Sequence, residues 1–333
     1  MPQPPNSMTQ EDRTECMMKL CEVATKTGQA MLDDPPVRIT DTVQKDGHQF
    51  STVDDAAKSK MRQNAQAYLS GYYEQILEES DITVGKIDDN SVIYRLLVAD
   101  AVEGSTNAKR GLGNIGKRPI LAGTSLMLLE GPKMSSIAAT AFFDWSTGHC
   151  YSSVRGEPGS FIAFMDGQLM TPSSIPKKTC DSQIYVAVPG YSHTNITQRA
   201  MVETALLENG IRAVGGTRSS AQDLLDLLWG QTEAYVDLRP AFSQSTSNRD
   251  EVLRAWDVGA LLPLLEALGF IVSDNKQTSW QENRFSDSLV LIAARTADLW
   301  QQILEIINGL PFLQDQSDGS ATCLPIVPQT GTS

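Results

Sequence analysis

Along the first part of the chain, apolar residues recur with a helical period. Met17, Leu20, Ala24 and Met31 are spaced so that they share one face of a helix. Thr9-Gln10-Glu11-Asp12 supplies a hydroxyl cap and early acids for its start, and Asp33-Asp34-Pro35-Pro36 supplies its stop. Ala57, Met61, Ala65 and Leu69 repeat the pattern and predict a second long helix starting near Asp54, with Glu78-Glu79 at its end or just beyond. The period then becomes that of strands. Residues 92–98, 123–129, 137–143 and 150–154 are strand candidates, with Lys133, Asp144, Gly148 and Gly156 in the turns. Segments 160–164 and 168–170 flank Met165-Asp166-Gly167, and the Asp-Gly pair predicts a tight hairpin.

The second half alternates. Strands are predicted at 184–188, 212–214, 234–238, 270–272 and 290–293, and helices at 196–209, 219–229, 257–268 and 297–308. Such alternation builds an α/β layer. Residues 240–249 are polar and serine-rich and read as a loop. The pattern predicts an N-terminal α+β lobe over 9–175 and a C-terminal α/β lobe over 176–309, with a boundary near 172–178. Flexible tails are predicted at 1–8 and 310–333.

Composition narrows the chemistry. The 333 residues carry a formal net charge of −13, which argues against a nucleic-acid backbone or an anionic membrane as partner. No apolar run approaches a membrane span, and residues 1–14 lack a secretory apolar region. Five cysteines without a CxxC pair fit a reduced, cytoplasmic compartment. Three scattered histidines make a His/Cys zinc site a poor fit.

The segment Val98-Ala99-Asp100-Ala101-Val102-Glu103-Gly104-Ser105-Thr106-Asn107 carries the most chemistry. A buried strand ending in Asp100 and Glu103 offers hard oxygen ligands for Mg²⁺. The Gly104-Ser105-Thr106 turn offers backbone N–H groups to a phosphate where a helix begins. Together they point to a metal-assisted phosphatase. Three further acids join them: Asp54, Glu78 and Asp257, the last directly after Trp256. Each also has an ordinary role. Asp54 and Asp257 are plausible helix caps, and Glu78 a solvated helix end. As a set they match a multi-Mg²⁺ site, because clustered buried acids need a cation.

These residues resemble the inositol monophosphatase family, in the wider group with fructose-1,6-bisphosphatases and bisphosphate nucleotidases. The first family signature, D-P-[IVL]-D-G-[TS]-[TS]-N, stands as Asp100-Ala101-Val102-Glu103-Gly104-Ser105-Thr106-Asn107. The second, W-D-x-A-[AG], stands as Trp256-Asp257-Val258-Gly259-Ala260. Leu77-Glu78-Glu79-Ser80 and Phe50-Ser51-Thr52-Val53-Asp54 resemble two upstream elements, and Thr217-Arg218-Ser219-Ser220-Ala221 a substrate-side helix start.

The resemblance implies a layered α/β/α/β/α sandwich and hydrolysis of a small phosphorylated metabolite, an inositol or sugar phosphate, by activated water. It implies two or three Mg²⁺ ions held by Glu78, Asp100, Glu103, Asp257 and the Val102 carbonyl, with Asp54 near a further ion or its water. Catalytic roles fall to Asp54, Glu78 and Ser105, phosphate binding to Gly104, Ser105 and Thr106, and substrate binding to Ser219, Ser220, Asp237 and Arg239. A homodimer is the family's common state. Departures from the family pattern are Leu77, Ala101 and Glu103, with Ala108 and then Lys109-Arg110 after the signature. They keep two alternatives open: a degenerate member that binds a phosphorylated ligand or a partner without turnover, and a 3'(2'),5'-bisphosphate nucleotidase.

Overall fold

The computed structural model describes residues 8–36, 41–43, 49–78, 95–112, 120–156, 159–176, 183–189, 196–217, 219–242 and 253–314. The first helix, α1 (Gln10–Asp33), starts at a capping box in which the Thr9 side chain accepts from Asp12 N and Asp12 answers to Thr9 N. A short hairpin, β1 (Asp41–Val43) and β2 (Gln49–Ser51), leads into α2 (Thr52–Tyr68). Its buried stripe is Val53, Asp54, Ala57, Met61 and Ala65.

A seven-stranded sheet follows, made of β3 (Gln75–Glu78), β4 (Leu96–Glu103), β5 (Gly123–Leu129), β6 (Ile137–Asp144), β7 (Cys150–Arg155), β8 (Phe161–Met165) and β9 (Gln168–Met170). The strands lie in sequence order. β3 runs parallel to β4, and the other neighbours are antiparallel. The helix α3 (Ser105–Leu112) leaves the end of β4. β8 and β9 meet at Asp166 and Gly167, both at positive φ (51° and 75°), as a two-residue hairpin of this twist requires.

The second sheet has the order β11-β10-β12-β14-β13, built from β10 (Ile184–Val188), β11 (Ile211–Gly215), β12 (Ala234–Asp237), β13 (Ile271–Ser273) and β14 (Leu291–Ala294). Between its strands run α4 (Ile196–Glu208), α5 (Ser220–Leu228), α6 (Arg239–Phe242), α7 (Ala255–Val258) and α8 (Leu262–Ala267). Helices α9 (Ala297–Asn308) and α10 (Pro311–Gln314) close the described chain.

Three apolar cores fill the four interfaces between five layers, one of them spanning both sides of the middle layer. α1 and α2 cover one face of the large sheet through Leu20, Val23, Met61, Leu97 and Leu126. The other face packs through Val98, Met127 and Phe142 on α5, α7 and α8, which also meet Ala187, Tyr235 and Ala293 of the second sheet. α4 and α9 cover the far side of that sheet through Val202, Leu206, Ile303 and Ile307. The result is the α/β/α/β/α sandwich. α5 lies between two sheets, so eight of its residues are buried, the polar Ser220, Gln222 and Asp223 among them. No helix among the described residues is long and apolar enough to cross a membrane.

Several local expectations need correction. Glu78 ends a strand, not a helix. The strand expected at 92–98 is β4, which runs on through both acids to Glu103; residues 92–94 lie outside the described chain. The helix expected at 257–268 is two helices. The chain turns at Gly259, whose Cα faces Met127 so closely that a Cβ would stand 2.4 Å from its sulfur. Pro263 then restarts the helix in its first turn. The start of the 240–249 loop is the helical turn α6, and 243–249 fall outside the described residues. In the segment 310–333, Leu310 and Leu313 are buried around α10, and residues beyond 314 are not described.

Candidate metal and phosphate site

In a regular strand Asp100 and Glu103, three residues apart, would face opposite sides of the sheet. The register prevents this. Asp100 pairs with Ser125 and Glu103 with Gly123, so three steps on β4 match two on β5. The extra residue is a bulge, and it changes the parity of the strand. Val102 sits in it, buried, with its N–H donating to Asp100 Oδ1 at 3.0 Å. Opposite Glu103, Gly123 leaves room for the Phe142 ring, since a Cβ there would stand 2.1 Å from it.

Asp257 comes from a distant part of the chain. Trp256 is buried, and its carbonyl accepts from Ser125 Oγ at 3.4 Å, the residue paired with Asp100. That contact lays α7 over the bulge. Arg254 N–H donates to Asp257 Oδ2 at 2.8 Å, so this carboxylate also caps its own short helix. One carboxylate oxygen each from Asp100, Glu103 and Asp257 lie within 4.8 Å of one another. Two oxygens opposite each other on Mg²⁺ stand about 4.2 Å apart, from a metal–oxygen distance of about 2.1 Å. The cluster therefore closes on such an ion with small side-chain rotations, and an all-oxygen donor set suits a hard cation.

The phosphate side adjoins it in sequence. Gly104 turns at φ +82°, and Asn107 and Ala108 N–H bond back to its carbonyl as the first bonds of α3. The N–H groups of Ser105 and Thr106 precede those bonds and point out of the helix start, where an anion is favoured. Asn107 fixes the turn: its Nδ2 donates to Leu121 O at 2.9 Å and to Thr217 O at 2.8 Å. A Cβ on Gly104 would lie 2.9 Å from Leu121 O and 2.9 Å from Ser219 Cβ. Gly104→Ala is expected to cost about 1–3 kcal/mol of stability, from the positive φ and both contacts. Urea denaturation checks this, and an unchanged midpoint would count against so tight a turn.

The remaining candidates take other places. Asp54 is buried in the first turn of α2. Glu78, 2% exposed, pairs in register with Ala99, one residue before Asp100, and its Oε1 accepts from Arg62 Nε of α2 at 2.6 Å. Neither belongs to the three-carboxylate cluster. Ser219 caps α5 and donates to Glu103 Oε1 at 3.0 Å, and Ala221 N–H donates to the same oxygen at 3.2 Å. Asp237 is fully buried. Arg239 Nη2 donates to it at 2.6 Å and Tyr235 Oη at 2.9 Å, while Arg239 also reaches Ser220 Oγ at 3.0 Å. These groups brace the start of α5 from behind. Lys109 and Arg110 lie on α3, one turn past Ser105.

Two residues escaped the sequence reading. Arg62 has only a weak local signal, a charged line Asp54, Lys58, Arg62 at helical spacing. Asp223, buried in α5, has none: it looks like an ordinary helix acid. Its Oδ1 accepts Thr217 N–H at 2.6 Å, and Oδ2 has no partner among the described residues. Burial pushes its pKa up to about 7. Burial and the nearby Asp144 charge also raise Asp226, to about 6.

No protein-family model and no curated protein matches this sequence. Solved structures do. The extragenic suppressor protein suhB of Bartonella henselae is 14% identical, with a TM-score of 0.61 over 88% of this chain and 98% of that one. An IMPase/NADP phosphatase complexed with Mg²⁺ and phosphate is 14% identical, with a TM-score of 0.61 over 91% of this chain and 98% of that one. An inositol monophosphatase of Zymomonas mobilis is 16% identical, with a TM-score of 0.57 over 91% of this chain and all of that one. The chain thus has the fold of the inositol monophosphatases, and the resemblance read from its motifs holds at the level of fold.

Proposed function

We propose that this chain is a Mg²⁺-dependent phosphomonoesterase for a small phosphorylated metabolite, an inositol or sugar phosphate. One observation carries the reading: the oxygens of Asp100, Glu103 and Asp257 converge within 4.8 Å, and Glu103 stands two residues before the open first turn of α3. These three acids would hold Mg²⁺. The Val102 carbonyl, Glu78 and Asp54 would serve a second and third ion. When bound, the metal supplies Lewis acidity that makes water nucleophilic at neutral pH and offsets phosphate charge.

The chain's own groups do the rest. Gly104, Ser105 and Thr106 N–H would hold the phosphate oxygens. The Ser105 hydroxyl and Asp54 would orient the attacking water for in-line displacement. Ser220, Asp237 and Arg239 would set the leaving-group side through the braced start of α5. Lys109 and Arg110 put positive charge one turn from the cradle, which a phosphate ester needs on a chain of net charge −13. Unbridged Cys16, Cys21 and Cys150 are in keeping with a reducing, cytoplasmic setting.

Similar structures guide the substrates to try. One is described as bound with D-inositol-1-phosphate and another as bound with 2'-AMP. Phosphate release should therefore be followed from inositol phosphates, sugar phosphates, 2'-AMP, NADP and a 3',5'-bisphosphate nucleotide, with Mg²⁺ and with EDTA. Chelator-sensitive release from one class is expected, and release from the nucleotides alone would shift the reading to a nucleotidase. A second reading, binding without turnover, draws on the Arg62 guanidinium at Glu78, where an ion would otherwise sit. Silence across the panel, with Mg²⁺ still raising the melting temperature, would favour it.

A further inference from the structure

Glu103 departs from the aspartate of the motif, and the structure gives its extra methylene a use. The side chain reaches across to the start of α5, where Ser219 Oγ and Ala221 N–H both donate to Oε1, at 3.0 and 3.2 Å. The Ser219 hydroxyl is oriented by a third bond, because Gln222 N–H donates to its oxygen at 3.3 Å. With its acceptor side turned to Gln222, the single O–H points at Glu103. Ser219 is 2% exposed and packed against the Gly104 turn, so its rotamer is fixed by its surroundings. An aspartate at position 103 would be shorter by about 1.5 Å, and the 3.0 Å bond would stretch beyond hydrogen-bond range.

We propose that Ser219 is a positioning residue for Glu103: it fixes the plane of that carboxylate for cation binding and does not itself contact substrate. The side-chain length at 103 and the hydroxyl at 219 are then a matched pair. This rests on the metal-site reading above, and makes the start of α5 part of the cation site.

The test is Mg²⁺ binding by titration calorimetry to the full chain and its Ser219→Ala, Ser219→Gly, Glu103→Asp and Glu103→Asp/Ser219→Ala variants, with melting temperatures in EDTA. Glycine is included because it keeps a tolerable helix cap while removing the hydroxyl. Each Ser219 variant is expected to weaken Mg²⁺ binding about tenfold, the usual loss when a ligand's hydrogen-bond partner is removed. On the Glu103→Asp background the same change should matter less than about twofold, because the pair is already broken. Equal losses on both backgrounds, or a lower melting temperature in EDTA with Mg²⁺ affinity unchanged, would overturn the proposal and leave Ser219 a helix cap. If the unaltered chain takes up no Mg²⁺, the metal reading and this proposal fall together. If the coupling is found but no ester releases phosphate, the proposal stands and only the hydrolase reading fails.

Discussion

Asp257→Asn is expected to lower Mg²⁺-dependent phosphate release by about three orders of magnitude or more while the fold survives. A metal ion's charge stabilisation is worth several kcal/mol to such a reaction, and about 4 kcal/mol is a thousandfold in rate. Asp257 is one of three carboxylates that converge in the cluster among the described residues, so losing its charge removes a third of the cluster's own negative charge. The structural role is separable. The carboxylate also accepts Arg254 N–H at 2.8 Å, and an asparagine carbonyl can accept the same bond. Stability in EDTA should therefore stay within about 1 kcal/mol of the parent. The upward shift in melting temperature with Mg²⁺, which reports binding to the folded state, should shrink or vanish. Full activity in this variant would remove Asp257 from the site. Loss of activity together with collapse in EDTA would mean that its role is only to hold α7.

The second large effect concerns pH and the interior of α5. Asp223 is 1% exposed, and its folded pKa of about 7 lies above the ordinary 3.8 chiefly because burial disfavours the charge. The Asp226 charge pushes the same way, while the bonds from Thr217 and the Arg239 charge pull it down. The sign follows from proton counting. Between about pH 4 and 7 the folded chain keeps a proton that the unfolded chain has released, so stability falls as pH rises through that window. Three pKa units correspond to about 4 kcal/mol, lost by pH 8 and constant above it. Asp226, raised to about 6, contributes a smaller loss of the same sign. Asp223→Asn keeps an acceptor for Thr217 N–H and carries no charge. It should be the more stable protein at pH 8 and should flatten the decline from pH 5. Urea denaturation in EDTA at several pH values checks this; parallel curves for the two proteins would show that Asp223 does not govern the decline.

Much of this molecule follows from local pattern. The capping box at Thr9, the stripe Ala57, Met61, Ala65 and the Asp166-Gly167 hairpin depend on residues a few positions apart, and periodicity records them directly. α5 is legible in part: Ala221, Leu224, Leu225, Leu227 and Leu228 mark its apolar side, but its place between two sheets also buries Ser220, Gln222 and Asp223, which the pattern alone reads as solvent-facing. The acids were legible too, because an apolar run broken by carboxylates and followed by Gly-Ser-Thr has few structural uses.

What the sequence could not decide was how those acids meet. Whether Asp100 and Glu103 face the same side depends on a bulge, and a bulge is set by the pairing of β4 with β5, not by β4 alone. The split after Val258 depends on Met127, a residue from another strand that crowds Gly259. The partners of Glu103 Oε1 lie 116 and 118 residues away, and Arg62 meets Glu78 only because α2 packs beside the first strands. Backbone periodicity is a property of neighbours in the chain and is written there. The direction and partners of a buried charge are set by whatever the other layers bring against it, so tertiary packing alone fixed them.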